Sequence, residues 1–153
     1  MKVAIAADHR GFALKEKLKL WIREMGHEPV DFGTDSEEST DYPDVIFPAA
    51  EAVASGRCQR GVFVCGSGIG VSIAANKVAG VHAARCCSEK DAEMCRRHNN
   101  ANVMTLSGET EAERAKRMLA LFIDTDFEAG RHLRRINKIR RRENLRDLTE
   151  EEI

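Results

Sequence analysis

A cysteine followed by three glycines in five residues, Cys65-Gly66-Ser67-Gly68-Ile69-Gly70, stands between an apolar run and a helix-forming stretch. Glycines there allow a tight turn and let ligand oxygens reach the backbone, and amides at the start of the next helix favour an anion. A plain strand-to-helix turn accounts for the same pattern. Three chemistries compete with it. A dinucleotide site calls for G-x-G-x-x-G and an acidic residue roughly 20 positions on. This turn reads G-x-G-x-G, and Arg85, Cys86 and Cys87 close the next strand. A cysteine phosphatase needs an arginine about six residues after its cysteine to clamp phosphate, and Val71 stands there. The third chemistry sets Cys65 beside an amide-lined pocket, where the local dipole favours a thiolate that acts as a base. Only this one passes the spacing tests.

Two pairs could assist such a base. Asp8-His9 follows the first apolar run, and His98-Asn99 ends a helix. Each also has a purely structural explanation, since Asp8 can cap the helix beginning near Gly11 and a histidine at a helix end is commonly a capping or packing residue. The segment Arg131 to Arg146 (RHLRRINKIRRRENLR) is strongly basic with a thin apolar edge of Leu133, Ile136 and Leu145. It fits a helix lying across the domain or across a partner subunit.

The elements that must carry these residues alternate between strand and helix. Apolar runs at Val3–Ala7, Pro29–Phe32, Gly61–Cys65, Val81–Ala84 and Val103–Leu106 read as strands. Helical spacing covers Phe12–Met25, Val45–Ser55, the SIAANK stretch, Asp91–His98 and Glu109–Ile123, with a polar loop over Gly33–Asp44 that carries Tyr42. Such alternation implies an α/β fold with a parallel sheet covered on both faces, and ligands bind such sheets beyond the carboxyl ends of the strands. Asp8-His9, the Tyr42 loop and the Cys65 turn all fall at those ends. No repeat or linker interrupts the 153 residues, which read as one domain (1–153) with a basic C-terminal helix over 129–146 and a frayed tail over 147–153.

Composition bounds the partners. With 24 basic and 25 acidic residues and only 5% aromatics, the chain lacks the character of a nucleic-acid binder. No stretch approaches the roughly 20 apolar residues of a membrane span, and the N-terminus lacks the long apolar core of a signal peptide. Five cysteines without a C-x-x-C pair suit neither a disulfide framework nor a zinc site. Reduced thiols in the cytoplasm, with no nucleic-acid or membrane partner, are the expectation.

The segments ADHRGF, TDYP, VFVCGSGIGVSIAANK, RRHNNANV and GRHLRR occur in the order seen in ribose-5-phosphate isomerase B and its relatives, the allose-phosphate and galactose-phosphate isomerases. The resemblance spans roughly residues 1 to 140. It implies a Rossmann-like three-layer sandwich with a central five-stranded parallel sheet and a C-terminal helix. It further implies a homodimer or homotetramer, without metal or nucleotide cofactor, whose active site is shared between subunits. Carried onto this chain, Cys65 takes a proton from the carbon beside a carbonyl. The amides around Gly66, Gly68 and Gly70, with Asn99, stabilise an enediolate, and Ser67 helps move a proton between the two oxygens. His98, with Asp8 and Tyr42, binds and opens the furanose ring, while His9, Arg131 and Arg135 hold the phosphate. One branch of the family uses a glutamate base just after the glycine turn, where this chain has Val71.

Two departures bear on the substrate. Many relatives carry an arginine after the last strand where this chain has Glu109, and a carboxylate there should repel phosphate unless its loop turns away. The SEKDAE segment lacks the aromatic and serine that relatives place before the alanine. The expectation is therefore an aldose–ketose isomerase of a phosphorylated sugar, most simply ribose 5-phosphate to ribulose 5-phosphate. Another tetrose, pentose or hexose phosphate is the alternative, and a non-catalytic sugar-phosphate sensor is the rival from a different class. An RNA-binding module using Arg131 to Arg146 is a third.

Overall fold

The computed structural model describes residues 1–153. In chain order the elements are β1 (Lys2–Ala7), α1 (Phe12–Glu24), β2 (Glu28–Asp31), α2 (Tyr42–Ala54), β3 (Arg60–Cys65), α3 (Ile69–Ala75), β4 (Ala83–Arg85), α4 (Glu89–Asn99), β5 (Val103–Ser107), α5 (Ala112–Asp124) and α6 (Arg131–Arg142). The five strands form one sheet in the order β2-β1-β3-β5-β4, and every pairing is parallel. No helix is long and apolar enough to cross a membrane.

Alternation along the buried strands divides the core into two layers. Val3, Ile5 and Ala7 of β1, with Val62 and Val64 of β3, point to one face, where they meet Leu14, Leu18 and Ile22 of α1 and Met118, Leu119 and Phe122 of α5. Ala4 and Ala6, with Phe63 and Cys65, point to the other, against Ile46 and Ala49 of α2 and Val71 and Ala74 of α3. The helical residues recur at three- and four-residue intervals, which is why each helix buries a single stripe. The three-layer α/β sandwich implied by the sequence is the fold observed.

Several boundaries differ from the sequence expectation for local reasons. Helix α2 starts at Tyr42 rather than Val45, because Pro43 sits in its first turn, where a missing N–H costs nothing. Strand β4 begins at Ala83 rather than Val81: the Val81 N–H turns back to the Val78 carbonyl, and the Asn102 side chain takes the His82 N–H. Helix α4 begins at Glu89, two residues before expected, because Ser88 and Asp91 form a reciprocal capping box. The stretch 147–153, expected to fray, carries contacts back to α6. Asn137 bonds both the N–H and the carbonyl of Leu148, and Arg141 pairs with Asp147.

Candidate active site

In this strand order the chain leaves β1 toward β2 on one side and returns to place β3 on the other. That reversal opens a crevice at the carboxyl ends of β1 and β3. Asp8 follows β1 and Cys65 ends β3, so the switch point brings them together. A cavity of about 570 Å3 lies there. Asp8, Tyr42, Cys65, Gly66, Ser67 and Gly70 all line it.

The Gly66–Gly70 turn is built to face this cavity with donors. Its carbonyls are engaged behind it: Ser107 Oγ donates to Gly66 O at 2.7 Å, Arg85 Nε to Ser67 O at 2.8 Å, and Thr105 Oγ1 to Gly68 O at 3.0 Å. The Gly68 N–H donates to Cys65 Sγ at 3.1 Å, and the Ile69 N–H to Ser67 Oγ at 3.2 Å. The N–H groups of Gly66, Ser67 and Gly70 have no partner within the chain. Gly68 has φ +74, and a Cβ there would come within 2.8 Å of the β5 backbone. At Gly70 a Cβ would lie 2.9 Å from the Tyr42 ring, so a glycine is what lets that ring lie across the turn. Cys65 itself is 4% exposed, a thiol at the floor of the cavity.

Asp8 serves structure as well as the cavity. Its Oδ1 accepts the N–H groups of Arg10 and Gly11 at 2.9 and 3.0 Å, capping the turn into α1. His9 Nδ1 accepts the Thr40 N–H at 3.2 Å, which ties the loop before α2 to the end of β1. Four further residues line the cavity: Arg10, Arg85, Ser107 and Glu109. Glu109 does face the cavity, but Arg10 Nη2 lies 4.0 Å from its Oε1, and Arg85 adds a second guanidinium. Arg10, Arg85 and Ser107 went unassigned in the sequence, although each follows or ends a strand at the carboxyl edge. That edge rule was the signal that could have found them.

The remaining expected site residues lie elsewhere. None of His98, Asn99, Arg131 and Arg135 lines the cavity of Cys65. The His98 ring, at the end of α4, stacks on the His132 ring of α6 at 4.4 Å with 7° between planes. Arg131 Nε lies 3.5 Å from His132 Nε2. Asn99 lines a separate groove of about 370 Å3 with Ile136 and Ile139 of α6. Burial first, then the charges of His98, Arg131 and Arg135, hold the His132 imidazole below its ordinary range. His98, Glu128 and His132 bring donor atoms within 4.8 Å of one another, a spacing that could admit an ion. Arg97 on Glu128 and the two arginines near His132 make that surrounding cationic, which opposes a divalent metal.

A depression of about 650 Å3, lined by Lys2, His27, Glu28 and Arg57 among others, opens beside the N-terminal ends of β1 and β2. It is somewhat larger but lies at the wrong end of a parallel sheet for a ligand.

Comparison with known proteins bears on the family and the fold. The sequence profile of the Ribose/Galactose Isomerase family matches residues 3–139. The chain is 40% identical over 139 residues to ribose-5-phosphate isomerase B of Escherichia coli, covering 90% of this chain and 93% of that protein. It is 36% identical over 141 residues to the D-erythrulose-4-phosphate isomerase of Pectobacterium atrosepticum, covering 91% and 93%. The solved ribose-5-phosphate isomerase B of Clostridium thermocellum superposes with a TM-score of 0.91 at 42% identity, covering 94% of this chain and 98% of that one. A profile match along nearly the whole chain, joined to the same fold at this identity, makes the chain a member of the ribose/galactose isomerase family.

Proposed function

We propose that this chain interconverts the aldose and ketose forms of a phosphorylated sugar, ribose 5-phosphate and ribulose 5-phosphate, through an enediolate with Cys65 as the base. The observation that carries the proposal is the thiol of Cys65 at the cavity floor, beneath a turn whose Gly66, Ser67 and Gly70 amides are free to donate. The sulfur takes the proton from the carbon beside the carbonyl, and the electron pair moves onto the carbonyl oxygen. The free amides meet the charge developing on that oxygen, and the Ser67 hydroxyl carries a proton between the two oxygens. Returning the proton to the neighbouring carbon completes the exchange. Preorganised donors of this kind contribute on the order of 100-fold or more each.

The site is completed by a second copy of the chain. The separation of His98, Asn99, Arg131 and Arg135 from the Cys65 cavity supports this, because ring opening and phosphate binding would otherwise occur away from the base. In the shared site, His98 of one copy works with Asp8 and Tyr42 of the other to open the furanose. Asn99 adds a donor to the enediolate, while His9, Arg131 and Arg135 hold the phosphate. Ile69 and Ile73, one turn apart on α3 and 50% and 56% exposed, form an apolar strip beside the cavity that suits such a homodimer. Arg10 and Arg85 supply the cavity with the positive charge that Glu109 subtracts. Five unbridged cysteines support a place in the reducing cytoplasm.

Proton NMR in D2O with tetrose, pentose and hexose phosphates tests the proposal. Conversion of ribose 5-phosphate, with deuterium entering at the carbon beside the carbonyl, is the expected result. Conversion of another member alone would keep the chemistry and change the substrate. Binding without exchange of any member would leave a sugar-phosphate sensor instead of an enzyme.

A further inference from the structure

Glu128, in the segment between α5 and α6, belongs to no motif that the sequence singled out. It is nevertheless held unusually firmly against the end of α4. Its N–H donates to the Arg97 carbonyl at 2.9 Å. Its Oε1 accepts from both Nε and Nη2 of Arg97, the former at 2.7 Å. Arg97 is itself braced by Glu93 one turn earlier, at 3.0 Å. The other oxygen, Oε2, is thereby fixed 3.5 Å from His98 Nε2 and 4.0 Å from His132 Nε2.

These contacts constrain His98 in two ways. The stack on His132 sets the plane of its ring, and the carboxylate lies against its Nε2 edge. A carboxylate beside Nε2 favours the tautomer with the proton there, which leaves the Nδ1 lone pair for a substrate hydroxyl. The groups packed against the ring are Glu128 from the connecting segment, itself held by Arg97, and the stacked His132 of α6, which brings Arg131 and Arg135 near its own imidazole. Glu128 is the anion among them.

We infer that Glu128 is a positioning residue that, clamped by Arg97, orients His98 during sugar-ring opening. This rests on the reading, given above, that His98 opens the ring. As the C1–O4 bond breaks and the C1=O1 double bond forms, Nδ1 takes the O1 proton and then passes it to O4. The protein finishes in its starting protonation state. Glu128 touches no reacting atom, and its effect is confined to the ring step.

Ribulose 5-phosphate allows that confinement to be measured. Its O5 is esterified, so it stays open-chain, and exchange of its C1 proton with D2O requires the base and the oxyanion donors but no ring chemistry. Conversion in the other direction, starting from the furanose of ribose 5-phosphate, requires ring opening as well. In Glu128→Gln, conversion should fall about 10- to 100-fold while C1 exchange in ribulose 5-phosphate stays within about threefold of wild type. Glu128→Asp, which keeps the charge, should recover part of the lost conversion. Arg97→Gln keeps the carboxylate but removes its clamp, and should shift the same ratio by a smaller factor, which preserves the test if Glu128→Gln folds poorly. Equal losses in conversion and exchange, or no loss in either, would overturn the inference. If the wild-type protein neither exchanges nor converts, the isomerase reading itself fails and this inference falls with it.

Discussion

Cys65 and Glu109 pose the two questions that single side chains can answer. Cys65 owes its place to β3 alternation, which points it with Phe63 toward α2 and α3, and to Gly68, whose N–H reaches the sulfur. Replacing Gly68 by alanine would force a Cβ to within 2.8 Å of the β5 backbone at a positive φ. We expect that variant to lose most of its turnover together with about 1–3 kcal/mol of stability, measurable by steady-state assay and urea denaturation. Glu109 sits in the cavity with Arg10 at 4.0 Å, an exposed pair whose coupling is modest. Arg10→Ala should raise KM for the sugar phosphate about 3- to 5-fold with kcat little changed, as expected for about 1 kcal/mol of lost charge compensation. An unchanged KM would mean that the phosphate binds away from Glu109.

At the scale of elements, α1 is fastened to β2 through a buried charge. Lys15 is fully buried, and its ammonium donates to both oxygens of Asp31 at 2.9 and 2.7 Å, with Lys19 on the same carboxylate at 2.6 Å. Burial alone would raise the Asp31 carboxyl, but the bonds from Lys15, Lys19 and the Gly33 N–H outweigh it and hold it below its ordinary range. A depressed folded value means that the contribution is complete above the unfolded value near about 4 and drains away as pH falls through the lower folded value. Asp31→Asn leaves the buried Lys15 ammonium with Glu16, at 3.1 Å, as its remaining carboxylate and should cost about 2 kcal/mol at pH 7. The gap to wild type should begin to narrow in urea titrations below about pH 4, where the unfolded chain takes up the proton, and close only as pH falls through the depressed folded value. These elements were largely legible in the sequence, because periods of two and of three to four residues announce strands and amphipathic helices directly. Short local signals were harder to weigh. Pro43 extended α2 backward to Tyr42, and an asparagine side chain displaced the start of β4, neither of which changes the hydrophobic period.

In the molecule as a whole, the sequence motifs divide between two places. Residues around Cys65 and residues around His98 are equally visible as patterns, and nothing in their spacing tells that one set lines the cavity and the other does not. That division depends on the sheet order, which linear periodicity does not encode. Arg10 and Arg85 were legible in principle, because a parallel sheet gathers the ends of β1, β3, β4 and β5 at one edge, and were missed only because they lie outside the glycine-rich turn and the histidine pairs. If a second copy completes the site, mixing equal amounts of Cys65→Ala and His98→Ala subunits after reversible dissociation should restore about a quarter of wild-type activity from two inactive parents. Ile73→Glu, on the exposed face of α3, should shift the protein toward monomer in sedimentation and lower activity in proportion.

The most direct test of the whole account is the Cys65→Ala variant, assayed for isomerisation and, separately, for sugar-phosphate binding. If Cys65 is the base, kcat falls roughly 100- to 10,000-fold while the Kd stays within a few fold, since the amides and the cationic residues that hold the ligand are untouched. Turnover close to wild type in a correctly folded Cys65→Ala protein would mean that another group moves the proton and that the thiol at the cavity floor is only a packing residue.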